Sequence, residues 1–334
     1  MKKQQRAAFA AVIILIFILS LSVVSLAAES VKVCPGGMPF GVRFGTGKLI
    51  VSGFSDVDTE SGGSCPSKLA GLCENDIIIK INGKAPGSAD SVTSAVKNSG
   101  GTPMVFTVER NGKTKDLTVT PEKSLSTGEF KIGLWLRDGS AGIGTVTYIM
   151  PETGAFGGLG HGICDTATGE LCDISRGAVS HVTITEISKG LPGAPGELRG
   201  IFAPEKSGSV IKNTSFGVFG IIPDISRENT VEVGDGIKEG DATVICTVSD
   251  AGECEYSIRL SENPDGNGDT FFVEITDKNL ISLTGGIVQG MSGSPIIQDG
   301  KLVGAVTHVL INDPTRGYGV TVKKMLESMP DSLK

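Results

Sequence analysis

From residue 130 to residue 320 the chain offers its apolar residues only in short runs broken by glycine and turn residues, and no apolar helical periodicity appears before Thr321–Met329. A helix needs an apolar stripe of period 3.6 to bury a face, so this stretch cannot form a helical core. Gly142–Ile149 and Val179–Ile187 read as strands. With 47 glycines in 334 residues and aromatic residues at only 5%, the composition suits short strands and tight turns. The region reads as mainly β, a barrel or a sandwich.

Within it, Gly290-Met291-Ser292-Gly293-Ser294-Pro295 stands between the apolar Gly286-Ile287-Val288 and a strand-like Ile296-Ile297. A serine hydroxyl becomes a useful nucleophile only on a tight turn that exposes Oγ, with a base beside it and N–H groups waiting for the oxyanion. Glycines on both sides of Ser292 allow such a turn, and the N–H groups of Gly290 and Ser292 would then point into one small cavity. A plain Gly/Ser loop is the alternative for the hexapeptide by itself, so the reading requires a base.

Only three histidines exist. His161, in Gly157-Gly158-Leu159-Gly160-His161-Gly162-Ile163, has glycine neighbours that leave its imidazole accessible and is the candidate base. His181 sits in an alternating strand and reads as solvated, and His308 suits the wall of the pocket. The orienting acid stays open among Asp165, Asp224, Asp235, Asp241 and Asp277, of which Asp277 precedes Ser292 closely. A lysine base, Lys278 or Lys301, would need an apolar pocket that neither neighbourhood suggests.

The earlier part of the chain has a different character. Ala70-Gly71-Leu72, Asp76, Ile78 and Asn82-Gly83 follow the AGL-x-x-x-D-x-I-x-x-x-N-G pattern, so residues 34–121 resemble a PDZ domain. Ser88–Lys97 supplies its second helix, and Val105–Arg110 with Thr114–Thr120 a hairpin around Asn111-Gly112. In such domains a peptide adds as an extra strand and its carboxylate enters a nest of N–H groups; Phe40, Gly41 and Val42 occupy the position of that loop. The polar Ser124–Glu129 marks a boundary, with the second domain spanning 130–334. Gly45-Thr46-Gly47-Lys48 departs from a phosphate loop at both ends.

Residues 7–27 form a nearly unbroken apolar run behind Lys2, Lys3 and Arg6, about the roughly 20 residues that span a bilayer. It reads as an uncleaved membrane anchor, with Ser25-Leu26-Ala27 leaving a removed signal peptide as the alternative. Either way the remainder lies across the membrane. That location permits disulfides, and six of seven cysteines fall into equally spaced pairs, Cys65/Cys73, Cys164/Cys172 and Cys246/Cys254; free thiols are the other reading. Their spacing does not match structural zinc, and no metal or other cofactor is expected. A net charge of -7 excludes nucleic acid as the main partner.

Trp135-Leu136-Arg137-Asp138, Ala141-Gly142-Ile143-Gly144-Thr145, Pro151-Glu152-Thr153-Gly154, Gly158–Ile163, Lys212-Asn213-Thr214, Thr284–Gln289 leading into GMSGSP, and Gly304–Val309 with Asn312-Asp313-Pro314-Thr315 resemble stage IV sporulation protein B over nearly the whole chain. That family comprises serine peptidases with an amino-terminal membrane segment, a PDZ domain and a trypsin-like domain of two β-barrels. The resemblance implies a triad of Ser292, His161 and Asp277, carried on GMSGSP, GLGHG and I-T-D. It also implies action between the two forespore membranes on an inhibitory regulator of an intramembrane protease, with self-cleavage as a further activity. A catalytically silent adaptor is the competing class.

Overall fold

The computed structural model describes residues 31–165, 169–172, 174, 176–223, 229–249 and 251–334. The apolar segment 7–27 and Asp224 lie outside them. Among the described residues no helix is long and apolar enough to cross a membrane.

In chain order the elements that position the site begin with strand β1 (Pro39–Phe54). Next come β2 (Ile77–Ile81), helix α1 (Ala89–Lys97), β3 (Met104–Arg110) and β4 (Lys113–Val119). They are followed by β5 (Leu134–Ile149), β6 (Ala155–Gly158), β7 (Arg176–Ser188), β8 (Gly208–Thr214) and β9 (Gly217–Ile221). The remaining elements are β10 (Gly240–Thr247), β11 (Glu253–Glu262), β12 (Thr270–Ile275), α2 (Lys278–Thr284), β13 (Pro295–Gln298), β14 (Lys301–Leu310), β15 (Asp313–Thr321) and α3 (Val322–Ser328).

The antiparallel pairings β1–β5–β6–β9–β8–β7 return to β1 and close one barrel. The pairings β10–β11–β12–β15–β14–β13 return to β10 and close a second. Numbered within its own barrel, each has the same strand order, 1-2-3-6-5-4. Closure leaves no open edge, and a strand with one face on the barrel core and one on solvent alternates buried and exposed residues. Tyr256, Ile258 and Leu260 of β11 do so, pointing inward with Val244, Phe271 and Val273. Phe40, Val42, Phe44, Val146 and Phe156 fill the first barrel. A further cluster, Tyr148 and Phe219 with Leu302, Ala305 and Val320, joins the barrels beneath α3. The two-barrel, mainly β architecture expected from the sequence is therefore present.

The PDZ domain does not precede the barrels; it is inserted between the first two strands of the first one. β1 and β5 are each 16 residues long and belong to both. From Thr145↔Pro39 to Gly139↔Gly45 they pair inside the barrel, and from Arg137↔Ile50 to Leu134↔Phe54 they pair in the PDZ sheet, with one register shift between the two spans and another at Trp135/Leu136. β1 then pairs with β2 at Leu49↔Ile78, and β2, β3 and β4 follow in order. The sequence boundary at Ser124–Glu129 is thus a loop before β5. A local change in composition cannot reveal that a strand already passed has begun the second domain.

Local signals otherwise hold. The Ser88 side chain accepts from Ser91 N and opens α1, whose Val92 and Val96 enter the PDZ core. Asn111 and Gly112 both have positive φ, 52° and 71°, as a type I′ turn demands. Thr321 caps α3, the helix that the apolar periodicity of Thr321–Met329 predicts. Cys246 and Cys254 lie opposite each other on β10 and β11, yet the cysteines are thiols and not disulfides.

Candidate active site

The turn Gly290–Ser294 leads into β13, and His161 follows β6, so each lies in the connection between the third and fourth strand of its barrel. Both line one cavity of about 310 Å³, together with Val42, Ile143, Gln289 and Gly290. Ser292 and His161 are both partly buried.

The Gly290–Ser294 turn is held by its carbonyls, six in succession. Val288 O accepts from Met291 N at 3.1 Å, Gln289 O from Leu198 N at 2.8 Å, and Met291 O from Ser294 N at 2.9 Å. Strand β5 takes the other three: Thr145 Oγ1 donates to Gly290 O at 2.8 Å, Thr145 N to Ser292 O at 2.8 Å, and Thr147 Oγ1 to Gly293 O at 2.8 Å. Of the N–H groups, Gln289 donates to Gly196 O, Met291 to Val288 O, Gly293 to Val306 O and Ser294 to Met291 O. Gly290 N and Ser292 N have no acceptor among the described residues. These are the two donors that the sequence assigns to an oxyanion.

The glycines are required by this geometry. Gly290 has φ +101° and Gly293 φ +96°, and a Cβ on Gly293 would lie 2.0 Å from Thr145 O. Any side chain there would push β5 away from the turn.

Ser292 Oγ donates to Thr307 O at 2.6 Å and makes no hydrogen bond to His161. His161 Nδ1 lies 2.9 Å from Gly162 O. A carbonyl only accepts, so Nδ1 carries the proton and Nε2 is left as the basic nitrogen. Burial pushes the imidazole below its ordinary value, outweighing the opposing pull of that carbonyl. His308 does not line this cavity; it tilts against His161 with ring centroids 4.6 Å apart.

Asp277 is not brought to this pair. It is the N-cap of α2, and its Oδ1 accepts from Asn279 N at 2.9 Å and Leu280 N at 3.0 Å, with Ser257 N 3.4 Å from Oδ2. A carboxylate just before a helix finds free N–H groups within its own next turn, which is the commonest use of an aspartate there. Sequence reasoning missed Asn213. Buried on β8, it bonds both Ile163 N and Ile163 O, at 2.9 and 2.8 Å, and also Cys172 O, which pins the loop after His161.

Phe40, Gly41 and Val42 are likewise not in a peptide-binding loop. They pair with Gly144, Ile143 and Gly142 on one side and His181, Ser180 and Val179 on the other, inside the first barrel. Phe40 and Val42 are core residues, each 1% exposed. The groove beside α1 is built from the far side of the domain. A cavity of about 350 Å³ lies between Ala89, Val92 and Val96 of α1 and the segment Phe130–Leu136 that starts β5. Asp138 ties the two walls, accepting from Ala89 N at 3.0 Å. The strand that forms this wall comes last in the domain, beyond the motif that identifies it.

The model of the SpoIVB peptidase S55 family matches residues 128–326, and that of a PDZ domain residues 62–110. Curated relatives match over shorter stretches. A probable protease, eep, of Enterococcus faecalis is 36% identical over 86 residues, covering 25% of this chain and 20% of its own. The zinc metalloprotease RasP of Geobacillus kaustophilus is 38% identical over 68 residues, 20% of this chain and 16% of its own. The chain thus spans a fifth or less of the length of these two. Among solved structures, the active form of the Rv3671c protease from M. tuberculosis is similar at 15% identity and TM-score 0.31, over 56% of this chain and 72% of its own. The HtrA-type protease AlgW with a decapeptide gives 17% and 0.33, over 59% and 52%. Scores of this size do not establish a common fold, which rests here on the chain's own strand pairings.

Proposed function

We propose, for a chain that belongs to the SpoIVB peptidase S55 family and is a serine peptidase by that membership, that Ser292 is the nucleophile and His161 its base. The Ser292 side chain turns from Thr307 O toward His161 Nε2, which takes the hydroxyl proton as Oγ attacks the scissile carbonyl. Charge on the tetrahedral oxygen is met by the N–H groups of Gly290 and Ser292. His161 returns the proton to the leaving amine, and water then releases the acyl group by the same route. The observation that carries this reading is the pair of unpartnered N–H groups in a turn whose every carbonyl from Val288 to Gly293 is held.

The substrate is a protein. By the family's character it is an inhibitory regulator of an intramembrane protease in sporulation signalling, or a neighbouring copy of this chain. It docks as an added strand on Leu134–Leu136, in the groove facing α1. The segment 7–27 holds the protein at the outer face of the membrane. Fluorophosphonate labelling tests the chemistry: the wild-type chain takes the label on Ser292 and the Ser292→Ala chain takes none. No label on the wild type supports the silent adaptor instead, and equal labelling of both shows a nucleophile other than Ser292.

A further inference from the structure

Thr145 stands out among the buried groups that the mechanism leaves unused. It is 2% exposed and contacts the nucleophile turn twice, through its hydroxyl to Gly290 O and through its N–H to Ser292 O, both at 2.8 Å. We propose that the Thr145 hydroxyl is a positioning residue for the oxyanion donors, a role that rests on the peptidase reading above.

The carbonyl it holds belongs to the peptide plane between Gly290 and Met291, which links the two planes that carry the donors. Gly290 N–H lies on the preceding plane and Ser292 N–H on the following one. Leu198 N holds Gln289 O and Ser294 N holds Met291 O, the carbonyls of the two donor planes, so each donor plane is anchored on its far edge and meets the other only through the linking plane. Gly290 has no side chain and a backbone at φ +101°, so the linking plane is held by two bonds alone, Thr145 Oγ1 to Gly290 O at 2.8 Å and the longer Met291 N to Val288 O at 3.1 Å. A buried carbonyl deprived of its donor turns toward the cleft to recover a partner. That rotation would carry the two N–H groups out of convergence while leaving Ser292 and His161 chemically intact.

The test uses the full chain with Thr145→Val, which keeps the shape and removes the donor, and Thr145→Ser, which restores it. The readouts are kcat and KM on a peptide substrate, the affinity for a peptide aldehyde whose adduct oxygen occupies the donor site, and thermal unfolding. Losing an oxyanion donor outright costs roughly 10²- to 10³-fold in kcat. Thr145→Val is expected to cost about tenfold or more, with KM little changed and aldehyde affinity falling in step. Thr145→Ser is expected to recover both. Unchanged kcat in Thr145→Val, a loss confined to KM, or Thr145→Ser as poor as Thr145→Val would overturn the proposal. If Thr145→Val fails to fold, Thr145→Ser decides: retained kcat and aldehyde affinity support the hydroxyl, and a fall in both assigns the position to methyl packing. Ser292→Ala is measured alongside. Full activity in that chain withdraws the peptidase reading and this inference with it, whereas Ser292-dependent activity insensitive to Thr145→Val overturns the inference alone.

Discussion

The two barrels close in the same strand order, yet only the first is interrupted. The second runs from β10 through β15 with short connections and α2, and presents Ser292 after its third strand. The first presents His161 from the corresponding place, but its first two strands extend outward and carry the whole PDZ domain between them. Nothing between the domains behaves as a linker, because β1 and β5 run through both without a break. β5 has a double duty in consequence. Its first residues wall the groove beside α1, and a few residues further on Thr145 and Thr147 grip the nucleophile turn. In the second barrel β14 also pairs, in parallel, with Val231–Val233, but no strand enters the PDZ domain.

The difference between the barrels is broken most severely by deletion. Removing residues 34–121, a cut suggested by the sequence boundaries, takes away all of β1 and should leave no folded peptidase. Joining Gly45 to Gly139 through an Asn-Gly turn should leave one, since those residues are already strand partners. Circular dichroism and cleavage of a short peptide check this. A folded, active chain lacking 34–121 would contradict the shared strand.

Within the insertion, Asp76 is fully buried and takes two bonds from Arg110, at 2.6 and 2.7 Å. Burial pushes its carboxyl up, but the Arg110 and Cys73 N–H bonds outweigh that and hold it below its usual range. Its stabilisation is therefore present above the unfolded carboxylate value and is lost as pH falls through the lowered one. Arg110→Ala strands a buried charge, and should cost about 3 kcal/mol in denaturant unfolding, with the barrels less affected. A change near zero would mean that water reaches Asp76.

Asp277 sharpens the comparison on the second barrel. As a helix cap, Asp277→Ala should lose about 1 kcal/mol while Asp277→Asn, an equally good cap, keeps both stability and turnover. A fall of roughly 10³ in turnover for Asp277→Asn would place the carboxylate on His161 after all. Smaller still is the pH effect. Because burial lowers His161, its neutral form persists below the ordinary value of about 6.5, and the acid limb of kcat/KM should lie beneath that value. A limb above it would show His161 stabilised as a cation.

Much of this architecture is legible in the amino-acid sequence alone. Asn111-Gly112, Ser88 and Thr321 announce a turn and two helix starts because each acts on its immediate neighbours. The glycines around Ser292 announce a tight turn for the same reason, and the resemblance to a two-barrel peptidase agrees with the strands found. What escapes is set by partners far away in sequence. Phe40–Val42 read as a peptide loop because they precede the PDZ motif, but their strand partners are Gly142–Gly144 and Val179–His181. Asp277 reads as a triad member through the family resemblance, while its oxygens are taken by the helix it begins. Thr145 and Asn213 stand in motifs that carry the family resemblance, but their roles do not show there, since a buried hydroxyl or amide shows its role only through what lies opposite.

The central claim is that the two barrels assemble one catalytic unit from Ser292 and His161. Turnover of a peptide substrate by Ser292→Ala, His161→Ala and the double variant tests it most directly. Members of one unit are not additive, so each single change should cost on the order of 10⁴-fold or more, and the double variant should be no worse than the more damaged single. Losses that multiply in the double variant would show two independent contributions and contradict the account.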